Sequence, residues 1–252
     1  MPESVNVLGV NVSAVTKEEV QESIASAIVA GAKEYYVYAN IHAVNLAQDD
    51  EEFRVFLNNA RLVYSDGEGV RVGARVLGRS LPPRIVMTDW IWGLSDFCAQ
   101  RGYSVFLLGG AQAALNGAEA NLTARFPELN IVGTHHGYFS KSGAESEAVV
   151  QLVNSLRPDI LFVCFGMPAQ EHWVRNNFDH LAAHVILFGG STIDYAAGRK
   201  KVAPRWMRSA GFEWLYRLLQ EPRRLWKRYL IGNPLFLGRV LLQRFRDRKV
   251  DS

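Results

Sequence analysis

The sequence predicts an α/β fold, in which a mostly parallel sheet is flanked by helices and followed by a basic helical appendage at the C-terminus. Three observations predict this. Short runs of β-branched and aromatic residues alternate with segments of helical apolar periodicity from residue 5 to 190. The intervening segments have the length of crossover helices, which is typical of βαβ units. Basic residues are concentrated in the last part of the chain.

Seven apolar runs are predicted to be strands. In chain order they are Val5–Val10, Glu34–Ala39, Leu62–Ser65, Ser104–Leu108, Asn130–Thr134, Asp159–Phe165 and Val185–Phe188. Helical periodicity is clear in the segments Lys17–Val29, Ala111–Phe126 and Ala144–Leu156. Strands and helices that alternate in this order predict a Rossmann-like body.

The composition is that of an ordinary globular protein. Of 252 residues, 48% are hydrophobic and 21% are charged, which excludes a disordered or collagen-like chain. The cysteines Cys98 and Cys164 are too few for a disulfide framework or a four-ligand zinc site, so a reducing cytoplasmic compartment is favoured. The sequence has no apolar leader and no apolar run of spanning length, so neither export nor membrane spanning is expected.

The charge is distributed unevenly. Residues 1–198 hold 13 Lys and Arg against 21 Asp and Glu, whereas residues 199–252 hold 15 against 4. We therefore predict an α/β body over 1–198 and a basic appendage over 199–252. The appendage suggests an anionic partner: nucleic acid, a phosphate-bearing ligand or a membrane surface. Its amphipathic segment Arg223–Leu230 is compatible both with packing on the body and with a membrane surface.

Several predicted strands end in glycine. Such glycines either form tight turns or let backbone N–H groups approach a phosphate. Neither the dinucleotide fingerprint nor the P-loop is present, so the pair Gly109 and Gly110 is only a weak indication of a cofactor. The glycine-rich strand ends are at Gly67 and Gly69, at Gly109 and Gly110, at Gly166, and at Gly189 and Gly190.

Two polar residues follow strand ends where a ligand would bind. Asp66 precedes a predicted helix, so it is either a helix N-cap or a general base at the mouth of the sheet. Gln170 lies in the first turn of a helix opened by Pro168, and it is predicted to point toward the same face. No Asp-X-Asp pair or metal-ligand cluster accompanies them, so catalysis without a divalent metal is expected.

A set of motifs occurs in one order along most of residues 5–235. They are Tyr38-Ala39-Asn40-Ile41-His42, Tyr64-Ser65-Asp66-Gly67, Pro83-Arg84, Thr88-Asp89, Phe106-Leu107-Leu108-Gly109-Gly110, Gly137-Tyr138-Phe139, Gly166-Met167-Pro168-Ala169-Gln170-Glu171, Gly189-Gly190 with Asp194, Ala203-Pro204 with Trp206, and Gly211-Phe212-Glu213-Trp214. In these motifs the chain resembles the WecG/TagA/CpsF family of bacterial glycosyltransferases (glycosyltransferase family 26).

The resemblance implies an inverting transfer of a sugar from a UDP-sugar to a polyprenyl-diphosphate-linked saccharide in cell-surface polysaccharide synthesis. The sugar would be N-acetylmannosamine, its uronic acid, glucose or a similar sugar. Such an enzyme would be peripheral on the inner face of the cell membrane.

The resemblance also assigns roles to residues, and it favours the base over the cap for Asp66. The catalytic residues implied are Asp66, Gln170, Arg84 and Asn40. The substrate-binding residues predicted are Gly109, Gly110, Tyr138, Gly166, Gly189, Gly190, Asp194, Arg217, Arg223 and Arg224; the three arginines are chosen by their place in the basic appendage.

The chain departs from the family pattern at two positions. Tyr38 stands where many relatives have threonine, and Met87 stands where a small residue is usual. Because of these changes, the contacts that the family makes near Arg84 and near the sugar are not transferred unchanged to this chain. Two other hypotheses stay in view: a nucleotide-dependent oxidoreductase, disfavoured by the missing fingerprint, and a nucleic-acid-binding protein, which lacks a recognisable module.

Overall fold

A computed structural model describes residues 2–250, so the ends of the two predicted regions, Met1 and residues 251–252, lie outside the described residues. The body is built on a six-stranded sheet with the order β4-β3-β8-β7-β5-β6. All five pairings in this sheet are parallel. The strands are β3 (Glu34–Ala39), β4 (Leu62–Ser65), β5 (Ser104–Gly109), β6 (Asn130–His135), β7 (Ile160–Cys164) and β8 (Val185–Phe188). The predicted fold class is therefore confirmed.

The first predicted strand is wrong in one respect. The run Val5–Val10 does not form one strand but turns back as an antiparallel hairpin of β1 (Ser4–Val7) and β2 (Val10–Ser13). Leu8 and Gly9 form the turn, with φ of 52° and 81°. A two-residue turn with positive φ at both positions matches the twist of a hairpin. The apolar positions shift from 5 and 7 to 10 and 12 across the turn, but Leu8 fills the gap between them, so the run reads as one strand.

Helices cover both faces of the sheet. Because water reaches neither face, the central strands are almost continuously apolar, and β7 and β8 are buried at every residue. The helices of the body are α1 (Lys17–Val29), α2 (Ile41–Asp49), α3 (Glu51–Asn58), α4 (Glu68–Val76), α5 (Met87–Arg101), α6 (Gln112–Arg125), α7 (Ala144–Leu156), α8 (Ala169–Asn177) and α9 (Thr192–Ala196), with a 3₁₀ turn at Phe178–His180.

The appendage is helical throughout most of its length. It consists of α10 (Arg205–Ser209), α11 (Glu213–Gln220), α12 (Pro222–Trp226), a π-helical turn (Lys227–Ile231) and α13 (Gly232–Val250). Within residues 2–250, no helix is both long and apolar enough to cross a membrane.

The longest helix of the appendage, α13, packs on the body with one row of side chains. Phe236 and Val240 are fully buried, and both contact the position of Gly73 on α4. On the same side, the Arg244 guanidinium donates to the carbonyl of Leu77 at 2.7 Å. The opposite side of α13 stays apolar but exposed; its side chains there are Leu235, Leu241, Leu242 and Phe245. The helix is therefore held on the body and still offers an apolar face to the surroundings.

Candidate active site

The parallel sheet brings the predicted site residues to one edge. Each of the six parallel strands delivers its carboxyl end there, and ligands of such sheets bind at this edge. Along the edge the order is Asp66 after β4, Asn40 after β3, Gly189 and Gly190 after β8, Gly166 after β7, Gly109 and Gly110 at the end of β5, and Tyr138 beyond β6.

Asp66 is placed and oriented by its neighbours. Its backbone N–H donates to the carbonyl of Ala39, and its Oδ2 accepts a hydrogen bond from Asn40 Nδ2 at 3.2 Å. Asn40 is the N-cap of α2, and its Oδ1 accepts from the backbone N–H of Ala43. Because the cap uses the oxygen, the amide nitrogen must face Asp66. The N-cap of α4, the helix that follows Asp66, is Gly67 and no side chain caps it, so Asp66 is not a helix cap. The capping bond of Asn40 aims its amide donor at the Asp66 carboxylate.

The surroundings of Asp66 favour a proton acceptor. Burial raises the pKa of this carboxyl above its ordinary value, while Arg217 and the hydrogen bond from Asn40 act in the opposite direction. A raised pKa brings a carboxylate closer to the range in which a general base is effective at neutral pH. Asp66 is also half-buried, so it is sheltered but still reachable.

Arg84 joins the body to the appendage. Its Nη1 donates to Glu213 Oε2 at 2.8 Å, and its Nη2 donates to the carbonyl of Arg208 at 3.3 Å. The other oxygen of Glu213 accepts from Arg217 Nη2 at 2.7 Å. Glu213 is buried, so the two cations share one buried carboxylate beside Asp66. Glu213 stands in one of the family motifs, but sequence reasoning gave it no role, because its contact with Arg84 exists only once the appendage is folded.

Two cavities meet at Asp66. The larger, of about 520 Å³, runs from Asp66 across the glycine-rich strand ends to Tyr138. The smaller, of about 370 Å³, lies between the start of α4 and the appendage and includes Trp214 and Leu237. Asn40, Asp66, Arg217, Arg228 and Tyr229 line both cavities. The carboxylate therefore stands where two ligands would come together.

The predicted substrate-binding residues separate into two groups. Most of them line the larger cavity: Tyr138, Gly110, Gly166, Gly189, Gly190, Asp194, Arg217 and Arg224. Arg223 is exposed and lines neither cavity. Gly109 lies against the next strand, where an added Cβ would stand 2.4 Å from the Cys164 carbonyl oxygen, so close packing alone requires a glycine there.

Cationic side chains line the larger cavity. Lys200 lies 3.5 Å from Asp194 and 3.2 Å from Glu221, and Arg224 also pairs with Glu221. Arg228 lines both cavities, although the sequence analysis gave it no role beyond its place in the amphipathic segment Arg223–Leu230. Its position depends on how the appendage folds back, which no local pattern records.

His42 is a third residue, after Glu213 and Arg228, that the sequence did not single out as functional. It lines the smaller cavity, where burial and the charge of Arg228 lower its pKa to about 4. The imidazole is therefore neutral at physiological pH and is able to accept or donate a hydrogen bond without bringing a charge.

Gln170 is completely buried in the first turn of α8, beside the equally buried Glu171. Its amide links the loops after β7 and β8, because Oε1 accepts from the N–H groups of Gly166 and Gly190. No group of three or more His, Cys, Asp or Glu with metal-binding geometry occurs within residues 2–250. Metal independence remains a prediction.

A parallel sheet whose carboxyl edge holds a sheltered carboxylate between two cavities defines an α/β enzyme cleft. The profile of the Glycosyl transferase WecG/TagA/CpsF family matches residues 5–250, and the chain belongs to this family. The family predicted from the sequence motifs is thereby confirmed, and with it a glycosyltransferase activity.

Similar proteins come from Staphylococcus aureus. The proteins of strains MW2, NCTC 8325 / PS 47 and MRSA252 are each 28% identical over 251 residues, which covers 97% of this chain and 95% of each relative. Each is named N-acetylglucosaminyldiphosphoundecaprenol N-acetyl-β-D-mannosaminyltransferase.

Proposed function

We propose that this protein is an inverting transferase that moves N-acetylmannosamine, or a related sugar, from a UDP-sugar to a polyprenyl-diphosphate-linked saccharide. The observation that carries the proposal is the position of Asp66 at the junction of two cavities. The names of the relatives supply the transferred sugar and the lipid-linked acceptor. The family does not favour an oxidoreductase or a nucleic-acid-binding protein.

Asp66 would act as the general base. As the acceptor hydroxyl attacks the anomeric carbon, its proton passes to the carboxylate, the new glycosidic C–O bond forms, and the C–O bond to UDP breaks. A single displacement of this kind inverts the anomeric carbon. Deprotonation in the transition state contributes about 10²–10⁴ to the rate. Asn40 supports this role, because its Nδ2 donates a hydrogen bond of 3.2 Å to Asp66 Oδ2 and so holds the carboxylate in place.

The larger cavity suits a nucleotide diphosphate. Negative charge develops on the leaving diphosphate, and Lys200, Arg217, Arg224 and Arg228 are present in this cavity to stabilise it. The loop at Gly110 leads into α6, so the N-terminus of this helix adds partial positive charge. We assign the UDP-sugar to this cavity on these grounds.

The smaller cavity suits the acceptor. It reaches Asp66 between the start of α4 and the appendage, whereas the larger cavity crosses the ends of β5, β7 and β8. Trp214 and Leu237 add apolar surface, as a lipid-linked saccharide requires near its prenyl end. The acceptor hydroxyl would then lie next to Asp66, and the diphosphate of the acceptor would lie toward the appendage.

The appendage would bring this cavity to the lipid. Basic side chains outnumber acidic ones there by 15 to 4 over residues 199–252. Several of its apolar side chains are exposed, among them Leu219, Leu230 and Phe245 with 70%, 56% and 61% of their surface accessible. Basic and apolar groups together favour binding to an anionic bilayer surface. We therefore place the protein peripherally on the inner face of the cell membrane.

The test is a transfer assay with full-length protein, UDP-N-acetylmannosamine and a short-chain polyprenyl-diphosphate-linked N-acetylglucosamine. Wild-type protein should form the disaccharide-lipid. Asp66→Asn should lower turnover by about 10²–10⁴ and retain UDP binding. Asp179→Asn is the matched control, because Asp179 is exposed and lies near Lys33 at the opposite edge of the sheet. Near-normal turnover of Asp66→Asn would refute the assignment of the base.

A further inference from the structure

The amide of Gln170 has no hydrogen-bonding capacity left for a ligand. Its Oε1 accepts from Gly166 N at 3.2 Å and from Gly190 N at 3.1 Å. Its Nε2 donates to Glu171 Oε1 at 2.8 Å and to Tyr38 Oη at 3.2 Å. A primary amide carries two donor hydrogens and an oxygen with two lone pairs, so all four bonds are made. Gln170 is also 0% exposed.

Tyr38 is bonded to Gln170 by its side chain, and this side chain lines the larger cavity. Its hydroxyl oxygen accepts from Gln170, so its own hydrogen is free to point elsewhere. Within residues 2–250, the hydroxyl donates to no protein acceptor. Burial, reinforced by the carboxylates of Glu171 and Asp66, raises the pKa of Tyr38, so the hydroxyl keeps its hydrogen at neutral pH.

The strand order locates this hydrogen along the cleft. Tyr38 lies on β3, next to β4, whose end carries Asp66, whereas Tyr138 follows β6 at the far edge. Neighbouring strands are about 4.8 Å apart, so β3 and β6 are separated by roughly 19 Å. A UDP-sugar with its anomeric carbon near Asp66 and its base toward Tyr138 therefore lays its sugar over Tyr38.

We propose that Tyr38 is a specificity-determining residue, whose hydroxyl donates a hydrogen bond to an oxygen of the transferred sugar. Gln170 and Glu171 are positioning residues that direct this hydrogen into the cavity. The proposal deepens the proposed function and rests on it. A buried donor that finds no acceptor is unfavourable, so the site discriminates against a donor sugar that lacks an oxygen at this place.

The test is calorimetric binding of two probes, UDP and UDP-N-acetylmannosamine, to the full-length protein. Tyr38→Phe keeps the ring, which packs near Tyr64 at 6.4 Å between centroids, and removes only the hydroxyl. The affinity for the UDP-sugar should fall roughly 10-fold while that for UDP stays unchanged. Tyr36→Phe is the control, because the hydroxyl of Tyr36 bonds Glu34 and Ser23 instead; it should leave both affinities unchanged.

Three results of this experiment would be adverse, and they are distinguishable. An equal loss of affinity for both probes would place the contact on the diphosphate or nucleotide and overturn the proposal. Unchanged affinity for both probes would overturn it as well. Wild-type protein that binds neither probe would instead refute the proposed function itself, before any variant is compared.

A double-mutant cycle tests the positioning role of Glu171. Glu171→Leu removes the acceptor of Gln170 Nε2 and should lower the affinity for the UDP-sugar, whereas Glu171→Gln keeps an oxygen there and should retain it. In the Tyr38→Phe background, Glu171→Leu should cause no further loss, because both changes act through one hydroxyl. Additive losses would show that Glu171 acts separately and would overturn its positioning role.

Discussion

Replacing Glu171 by glutamine is expected to change how the stability of the protein depends on pH. The Glu171 carboxyl is 1% exposed, and burial raises its pKa from 4.5 to about 7, opposed in part by the hydrogen bond from Gln170. Its Oε2 has no hydrogen-bond partner within residues 2–250. Ionisation of this carboxyl therefore lowers the free energy of unfolding.

The sign and size of the effect follow from the two pKa values. Between pH 4.5 and about 7 the folded chain holds a proton on Glu171 that the unfolded chain has released, so the free energy of unfolding falls as the pH rises through this interval. At about 1.4 kcal/mol for each pKa unit, the ionised form destabilises the fold by about 3 kcal/mol above pH 7. Glutamine does not titrate, so this contribution disappears in the variant.

The assay is chemical denaturation at pH 5 and at pH 8. Wild-type protein should lose about 2–3 kcal/mol more of its unfolding free energy between these pH values than Glu171→Gln does. The comparison of differences cancels any constant cost of burying the new amide. Glu147→Gln, an exposed change on α7, should keep the wild-type profile. Parallel profiles for wild type and Glu171→Gln would refute the reasoning.

Three further predictions concern the appendage and the cleft. Phe236→Ala should lower the free energy of unfolding by about 3–5 kcal/mol in chemical denaturation, because it leaves a cavity at a fully buried position between α13 and α4. A loss below about 1 kcal/mol would contradict the packing of α13 on the body. Arg228→Glu should weaken UDP binding in calorimetry, because Arg228 lines the larger cavity. Arg223→Glu should leave UDP binding unchanged and should weaken flotation with anionic vesicles at low salt, because Arg223 is exposed. Identical results for the two variants in both assays would argue against these separate roles. Transfer should continue in excess EDTA, and loss of activity that added magnesium or manganese restores would disprove metal independence.

The sheet and much of its edge could be predicted from the sequence because their signals are local. Asp66 and Gly190 follow strands whose apolar runs are short and well bounded, and parallel strands must end at one edge. The hairpin turn at Leu8 and Gly9 was missed, because Leu8 joins the apolar runs on either side and no Asn-Gly or Asp-Gly pair marks the turn.

The contacts that complete the candidate site are not local. Arg84 and Glu213 are separated by 129 positions, and only the folded appendage brings them together. Gln170 shows a different limit: its place in the first turn of a helix was predictable, but the use of all its hydrogen bonds inside the protein was not. Which residue of a buried network faces a ligand depends on side-chain directions, and sequence spacing does not contain them.

The arrangement of α13 determines how the appendage would bind a membrane in the proposed function. If one apolar row had to cover the body and also meet lipid, the helix would have to leave one to reach the other. Phe236 and Val240 face the body, whereas Leu242 and Phe245 lie on the opposite side and stay exposed. Both surfaces are therefore usable at once. In the proposed function α13 would meet the bilayer without leaving the body, and its orientation on the bilayer would set the height of the cleft above the lipid headgroups.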